Sequence, residues 1–134
     1  MAGPNSIFDV AQRGMSAQLV RMNAAASNLA NAGTVTGSEA KAYRPIRAVF
    51  AEDLNRANGM ASVKVQGVMR ENGAAIREHN PDHPLADQNG DVWGAPVDEN
   101  AEMVEMLESS RQYQNMVEAL STAKQLMLET MRLK

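Results

Sequence analysis

Apolar residues near the N-terminal end of the chain recur at spacings of three, four and seven positions. This stripe is made of Phe8, Met15, Leu19, Met22, Ala26 and Leu29. The spacing is typical of a coiled-coil seam, and it predicts a helix over about residues 5–31. Ser6 is a suitable N-cap for this helix, with Asp9 three residues later as in a capping box. Gly33 is expected to end the helix in a left-handed conformation.

The C-terminal end carries a second pattern with the same seven-residue period. One row contains Met106, Tyr113, Leu120 and Met127, and the other contains Met103, Ser110, Val117, Lys124 and Met131. Together the rows predict a helix over about residues 99–134, with an apolar seam that one serine and one lysine interrupt. Asp98 is placed to cap the start of this helix, while Arg132 and Lys134 suit its negative end.

The middle of the chain lacks this helical period. Residues 63–66 alternate between apolar and polar side chains, as expected for a strand. The predicted elements are a loop at 33–42, a strand at 43–50, a polar turn region at 51–61 that contains Asn58-Gly59, a strand at 63–69, and a tight turn at Asn89-Gly90 that leads into a short strand at 91–93.

These elements predict an α+β fold that is predominantly α. If the middle segment is compact, the long N- and C-terminal helices pair as an antiparallel coiled coil. We therefore expect a discontinuous coiled-coil domain made of residues 1–32 and 98–134, and a small β-rich segment made of residues 33–97. Because each helix has only a thin apolar stripe, a lone pair would bury little surface. The pattern favours many copies or relatives packed side by side.

Composition narrows the function classes further. The chain has 134 residues, of which 44% are apolar and 4% are aromatic, and its net charge of -3 argues against a nucleic-acid partner. The absence of cysteine excludes disulfide scaffolds, cysteine-bound zinc and thiol catalysis. No apolar run reaches the roughly 18 residues of a membrane span, so no direct membrane span is expected. The N-terminus lacks the features of a cleavable signal peptide.

Few residues are candidates for catalysis or metal binding. His79 and His83 are four positions apart, but Pro81 and Pro84 prevent the helix that would bring them to one face. We expect a polar loop there. Residues 87–91 resemble the start of a calcium loop, yet valine replaces the glycine required at the sixth position, so a hairpin turn is expected.

Three glutamates, Glu102, Glu105 and Glu108, lie three positions apart on the predicted C-terminal helix. A di-metal site in a helical bundle also needs histidine ligands, and neither predicted helix contains one. The glutamates are therefore expected to be solvated or ion-paired, with Arg111 as the partner of Glu108. No phosphate-binding loop or nucleophile elbow occurs. We predict a protein that is not an enzyme, with no catalytic residue, no cofactor and no metal site.

Two features of the helices allow two interpretations each. The methionines at seam positions serve either simple packing or an adaptable binding surface. The two interpretations become the same one if the methionines pack against another chain. Asn23, Asn28 and Asn31 are mediocre helix formers on a helix rich in alanine. They are either exposed polar positions or side-chain amides that bond across helices in an assembly.

Several runs of residues resemble those of a known family. The run at 23–32, followed by Tyr43-Arg44 after a loop rich in threonine and glycine, resembles the N-terminal motif of bacterial flagellar rod, hook and hook-associated proteins. The runs at 80–87, 102–106 and 110–115 extend the resemblance to the basal-body rod family over nearly the whole chain.

The resemblance implies a structural subunit of the flagellar basal-body proximal rod, which self-assembles in the periplasm and transmits torque for motility. Family members are exported through the flagellar type III export apparatus without a cleaved signal. Their terminal helices form the inner coiled-coil layer, and the middle segment lies outside it. The implied partners are other copies of the chain, the neighbouring rod subunits FlgB, FlgF, FlgG and FliE, and the export apparatus.

The residues expected to pack in such an assembly come from both helices. They are Phe8, Met15, Leu19, Met22, Asn28, Leu29, Met103, Met106, Tyr113, Val117, Leu120, Met127 and Met131. A soluble helical adaptor or export chaperone that binds a partner through its methionine-rich seam is the alternative. A metal hydrolase that uses His79 and His83 is a third, more remote class.

Overall fold

The structure is a computed structural model that describes residues 6–55 and 59–133. It contains two long helices and two small antiparallel sheets, which confirms the predicted α+β class. None of the described helices is long and apolar enough to cross a lipid bilayer. The elements in chain order are α1 (Ile7–Ala30), β1 (Val35–Thr36), a 3-10 turn (Glu39–Lys41), β2 (Ile46–Asn55), β3 (Met60–Arg70), β4 (Ile76–His79), β5 (Asp91–Gly94) and α2 (Glu99–Arg132).

Helix α1 begins as predicted but ends differently. Ser6 caps its start, because the Ser6 hydroxyl accepts a hydrogen bond from the Asp9 N–H at 3.3 Å. The prediction that Gly33 ends the helix in a left-handed conformation is wrong. Asn31 ends it instead, and both its backbone N–H and its side-chain amide donate to the Ser27 carbonyl, at 3.1 and 2.9 Å. An asparagine that satisfies this terminal carbonyl makes the glycine cap unnecessary.

Helix α2 begins at the predicted cap. The Asp98 carboxylate accepts a hydrogen bond from the Ala101 N–H at 3.2 Å. Glu99 and Glu102 lie in the first turn and Arg132 lies in the last, as the helix dipole favours. Lys134, which was also assigned to the negative end, lies outside the described residues.

Strands β2 and β3 form a long hairpin that is larger than predicted. Their register runs from the Ile46–Arg70 pair to the Asn55–Met60 pair, with an irregularity after Val49. The polar turn expected at 51–61 is wrong for most of its length, because both strands continue into it. Asn58 of the predicted turn lies outside the described residues, and Gly59 has a φ of +71°.

The second sheet has the strand order β1-β5-β4. The strand predicted at 91–93 is confirmed as β5, and Gly90 precedes it with a φ of +78°. The loop expected at 33–42 contains β1 and a 3-10 turn. Strand β4 was not predicted, because all four of its residues are exposed and therefore show no alternation of apolar and polar positions.

The two helices pack with opposite directions. Gly14 of α1 lies against Met116 of α2, and Arg21, further along α1, pairs with Glu105, earlier on α2. Beside Met106, Tyr113 and Leu120, the sequence predicts a second seam row on α2, and the structure has that row one residue earlier in the chain. The more protected row contains Glu102, Ser109, Met116 and Ala123, rather than Met103, Ser110, Val117, Lys124 and Met131. Small residues on α1, including Gly14, leave room for Met116, so this row of α2 packs against α1.

The interior of the chain is small. The buried apolar side chains among the described residues are Ala17, Ala24, Ala25, Ala42, Pro45, Val92 and Ala95. The chain exposes 9237 Å² of surface, whereas a compact monomer of 14.5 kDa is expected to expose about 6,900 Å². Most of the large apolar side chains therefore lie outside the core.

Candidate assembly surface

One side of α2 exposes apolar side chains along most of the helix. Leu107 is 68% exposed and Met131 is 67% exposed, values more typical of charged residues. At 100° per residue, five exposed residues fall within one arc of about 120°. We call this set the outer stripe, and it consists of Met103, Leu107, Val117, Leu128 and Met131.

The end of α2 continues past the start of α1. Helix α2 has 34 residues and α1 has 24, so at about 1.5 Å per residue α2 is roughly 15 Å longer. Every described residue from 124 onwards is exposed. Leu126, Met127 and Leu133 add to the exposed apolar area in this part. A single copy of the chain therefore leaves the apolar side chains of this extension in water.

The predicted packing residues fall into two groups. One group is half-buried and contains Phe8, Met15, Met22, Leu29, Met106, Tyr113 and Leu120. The other group is exposed and contains Leu19, Met103, Val117, Met127 and Met131. Asn28 belongs to neither group, because it is 0% exposed and bonds within its own chain.

Asn28 joins α1 to the start of the β2–β3 hairpin. Its Oδ1 accepts hydrogen bonds from the Ile46 N–H at 2.8 Å and from the Tyr43 hydroxyl at 2.7 Å, while its Nδ2 donates to the Ile46 carbonyl at 3.0 Å. The Tyr43 hydroxyl is also 3.1 Å from the Ser27 hydroxyl. The amide thereby satisfies both backbone groups of Ile46, as a neighbouring strand would. Asn28 is therefore neither an exposed polar position nor an amide that bonds to another subunit here. Its side-chain amide forms hydrogen bonds within its own chain.

Arg47 of β2 ties the hairpin to α2. Its guanidinium forms ion pairs with Glu102, which is 1% exposed, and with Glu71 at 2.7 Å. The hydrogen bond with Glu102, followed by the one with Glu71, raises the pKa of Arg47 above its ordinary value. Glu102 Oε2 has no hydrogen-bond partner among the described residues. The C-terminal helix glutamates Glu102, Glu105 and Glu108 were expected to be solvated or ion-paired, and Glu102 is ion-paired.

Arg21 of α1 holds α2 at a second point. Its Nε donates to Glu105 at 2.7 Å, and its Nη2 is 4.0 Å from Glu108. This hydrogen bond lowers the pKa of Glu105 and raises that of Arg21. The structure gives Glu108 this partner on α1 rather than the predicted Arg111. A third arginine, Arg13, joins α1 to the hairpin through Asp53 at 2.9 Å.

The segment from β4 to β5 uses its polar residues to shape a turn. Asp87 accepts hydrogen bonds from the N–H groups of Asn89 and Asp91, at 2.8 and 2.9 Å, which confirms the predicted turn. These bonds, with that from Asp91 the larger cause, lower the pKa of Asp87. His79 bonds to Asp91 at 3.0 Å, and His83 Nδ1 accepts from the Leu85 N–H at 3.0 Å. No group of three or more metal-ligand side chains is found among the described residues.

Sequence reasoning missed the contacts that orient the helices and the hairpin. Arg47 lies in a predicted strand, and nothing in its spacing indicates that its partner is Glu102 on α2, 55 positions away. Gly14 is an unfavourable residue inside a helix, and the sequence gives no sign that it lies against Met116 of α2. The sequence presents Tyr43 only as part of a motif, and the same motif contains Asn28, its hydrogen-bond partner in the structure.

Comparisons with known proteins agree with one another. A family model described as flagella basal body rod protein matches residues 8–37, and one described as flagellar basal body rod FlgEFG protein C-terminal matches residues 88–133. The chain is 41% identical to the flagellar basal-body rod protein FlgC of Salmonella typhimurium (strain LT2), over 96% of both chains. It is 43% identical to FlgC of Escherichia coli O157:H7 and 39% identical to FlgC of Yersinia enterocolitica, again over 96% of both chains.

Proposed function

Because the chain belongs to the flagellar basal-body rod protein family and is a structural subunit of that rod, we propose that its terminal helices polymerise into the proximal rod. In this proposal residues 1–32 and 98–134 form the inner domain and residues 33–97 lie outside it. The assembled shaft transmits torque from the membrane ring to the hook. Its relatives are rod proteins, which supports a structural role rather than catalysis.

The outer stripe of α2 is the observation that carries this proposal. Each large apolar side chain contributes about 1.5–3 kcal/mol when it is fully buried. The lone chain leaves these side chains in water, as with Leu107 and Met131. Exposed apolar side chains in a row along one side of a helix, interrupted here by Gln114, Ser121 and Lys124, mark an interaction surface. Helices of neighbouring subunits would cover it.

The proposed packing places α1 and α2 in a coiled-coil layer. The antiparallel contacts of Gly14 with Met116 and of Arg21 with Glu105 support a paired α1–α2 unit. The seven-residue period of both helices suits a supercoiled seam. Met15, Leu19, Met22 and Leu29 would pack against Met106, Tyr113, Val117, Leu120 and Met127, within the subunit and between neighbours.

The same features bear on export and partners. Ordering the helices costs about 1–2 kcal/mol per residue in backbone entropy, and a lone pair cannot bury its apolar stripes fully. Full order at the end of α2 would therefore arrive with assembly, and the low stability of a lone chain suits a subunit exported unfolded through the type III apparatus. The rod family assembles with other basal-body proteins, and we propose further copies together with FlgB, FlgF, FlgG and FliE as the neighbours.

The alternative class, a soluble helical adaptor or export chaperone, finds no support in the comparisons. The matching relatives are basal-body rod proteins over almost their whole length. A chaperone would also be expected to shield the exposed apolar side chains within a stable dimer in solution.

Leu107→Asp tests the proposal. Leu107 is exposed, so the substitution leaves the lone chain folded while placing a charge in the proposed interface. We expect the variant to be exported but to be absent from purified basal bodies, with swimming lost. Gln112→Asp is the control, since it adds the same charge to an exposed site off the outer stripe. Normal incorporation of Leu107→Asp would contradict the proposal.

A further inference from the structure

A concave surface at the C-terminal end of α1 carries three cations that form no ion pair with a carboxylate in the described part of the chain. It has a volume of about 540 Å³ and lies between the loop after α1 and the end of β3. Lys41, Arg44 and Arg70 line it, and no acidic residue does. Among residues 6–55 and 59–133, no ion pair involves any of the three. We call this surface the basic cavity.

Three other arginines of the chain differ from those of the basic cavity. Arg13, Arg21 and Arg47 each bond to a carboxylate of their own chain, at 2.9, 2.7 and 2.7 Å. Those arginines join elements of the fold. The cations of the basic cavity have no such carboxylate among the described residues, and guanidinium groups form strong, charge-assisted hydrogen bonds with carboxylates.

Both guanidinium groups of the basic cavity are held in position by backbone carbonyls. Arg44 donates to the Ala42 and Glu39 carbonyls at 3.1 and 3.2 Å. Arg70 donates to the Arg44 carbonyl at 2.8 Å, and its guanidinium lies 5.2 Å from the centre of the Tyr43 ring. Arg44 thus uses two of its five N–H donors and Arg70 one, so most donors remain available in a fixed orientation.

We propose that the basic cavity binds carboxylate side chains of a second copy of this chain in the rod, an inference that rests on the proposed function. Each copy carries sixteen acidic residues against thirteen basic ones. Glu78, Asp82, Glu118 and Glu129 are exposed, and no ion pair involves them among the described residues. A neighbouring copy can therefore supply carboxylates that its own fold does not use.

Zero-length cross-linking of purified basal bodies tests this contact directly. A carbodiimide joins an amine to a carboxylate only when the two touch, and Lys41 supplies the amine. We expect a species of dimer mass in which Lys41 is linked to an aspartate or glutamate of a second copy. Lys41→Arg keeps the charge and should abolish this link, while Lys124→Arg should leave it in place. Links from Lys41 only within one chain, only to a different rod protein, or to nothing would overturn the proposal.

Charge reversal supplies the second test. Lys41→Glu should lower the amount of the chain in basal bodies by about tenfold, because it places like charges together in the contact. Arg77→Glu, on the exposed strand β4, should leave that amount unchanged. Both purified variants should unfold at the same urea concentration as the wild type. Normal incorporation of Lys41→Glu would refute this contact alone, whereas absence of the wild type from basal bodies would refute the proposed function.

Discussion

Asn28 substitutes for a missing strand, and its removal should be costly. Asn28→Ala leaves the N–H and the carbonyl of Ile46 without their partner inside the protein. We expect the free energy of unfolding to fall by about 2–4 kcal/mol, since each buried unsatisfied group costs about 1–3 kcal/mol. Urea denaturation followed by circular dichroism measures this.

Asn23→Ala is the matched control for that measurement. Asn23 lies on the same helix, and it is exposed. Its replacement should change the free energy of unfolding by less than about 0.5 kcal/mol. Equal effects of the two substitutions would show that Asn28 acts through helix propensity rather than through its bonds to Ile46.

The charge of Glu105 makes the free energy of unfolding depend on pH, and the sign of this dependence follows from its pKa. Its hydrogen bond with Arg21 lowers its pKa in the folded chain below the ordinary 4.5. This stabilisation is fully present above that ordinary value and is lost as the pH falls through the lower, folded-state pKa. The free energy of unfolding should therefore decrease on acidification below about pH 4.5.

Glu105→Gln should remove part of that dependence. The variant should be less stable than the wild type at pH 7, and the difference should shrink as the pH falls towards 3. Urea denaturation at several pH values measures both. Glu118→Gln changes an exposed glutamate of the same helix, and its curve should follow that of the wild type. A pH-independent difference for Glu105→Gln would contradict the assigned role of its charge.

At the scale of elements, Gly14 sets how closely α1 approaches α2. A Cβ atom at this position would lie 2.9 Å from the Met116 sulfur. Gly14→Ala should be nearly neutral, because the end of the flexible Met116 side chain can move aside and alanine is the better helix former by about 1 kcal/mol. Gly14→Leu should destabilise the chain by about 1–3 kcal/mol through overpacking.

A double substitution separates this contact from other effects at Gly14. Met116→Ala vacates the space that the leucine needs, so the combined variant should lose less stability than the sum of the single changes. The coupling free energy from urea denaturation is the measurement. Strict additivity would mean that the Gly14–Met116 contact does not limit the approach of the helices.

The sequence predicted the elements whose signal is local. Both helices were found because a seven-residue period and good caps such as Ser6 and Asp98 lie within the segments themselves. The inward row of α2 was displaced by one residue, because small residues on α1 and the ion pair of Arg47 with Glu102 decide which face turns in. Those partners are distant in sequence, so periodicity alone could not reveal them.

The sheets show the same limit. Residues 63–69 of β3 and the start of β5 follow from alternation and an Asn-Gly turn, whereas β4 gives no such signal because its whole length is exposed. The extent of β2 and β3 through a polar region depends on pairing with each other and on Arg13, which bonds to Asp53. Among the residues of the outer stripe, the sequence identified Met103, Val117 and Met131 but not Leu107 and Leu128. It also did not reveal the contacts of Asn28.

At the scale of the whole molecule, the chain has too much surface for its interior. Its buried apolar side chains among the described residues are one valine, one proline and five alanines, and the end of α2 has no cover from α1. Local stability should therefore be lowest at residues 124–133, where the backbone hydrogen bonds are most open to water. Assembly would change the environment of this segment more than that of any buried part.

Hydrogen exchange before and after assembly tests this view. Peptides that cover residues 124–133 should exchange in the purified chain at rates close to those of an unstructured peptide, and at least about tenfold more slowly in isolated basal bodies. Peptides of the β1-β5-β4 sheet, which contains the buried Val92, should change little between the two states and serve as the internal control. Strong protection of residues 124–133 in the lone chain would mean that α2 is stable without neighbours. The exposed apolar side chains would then no longer explain why subunits of this kind assemble.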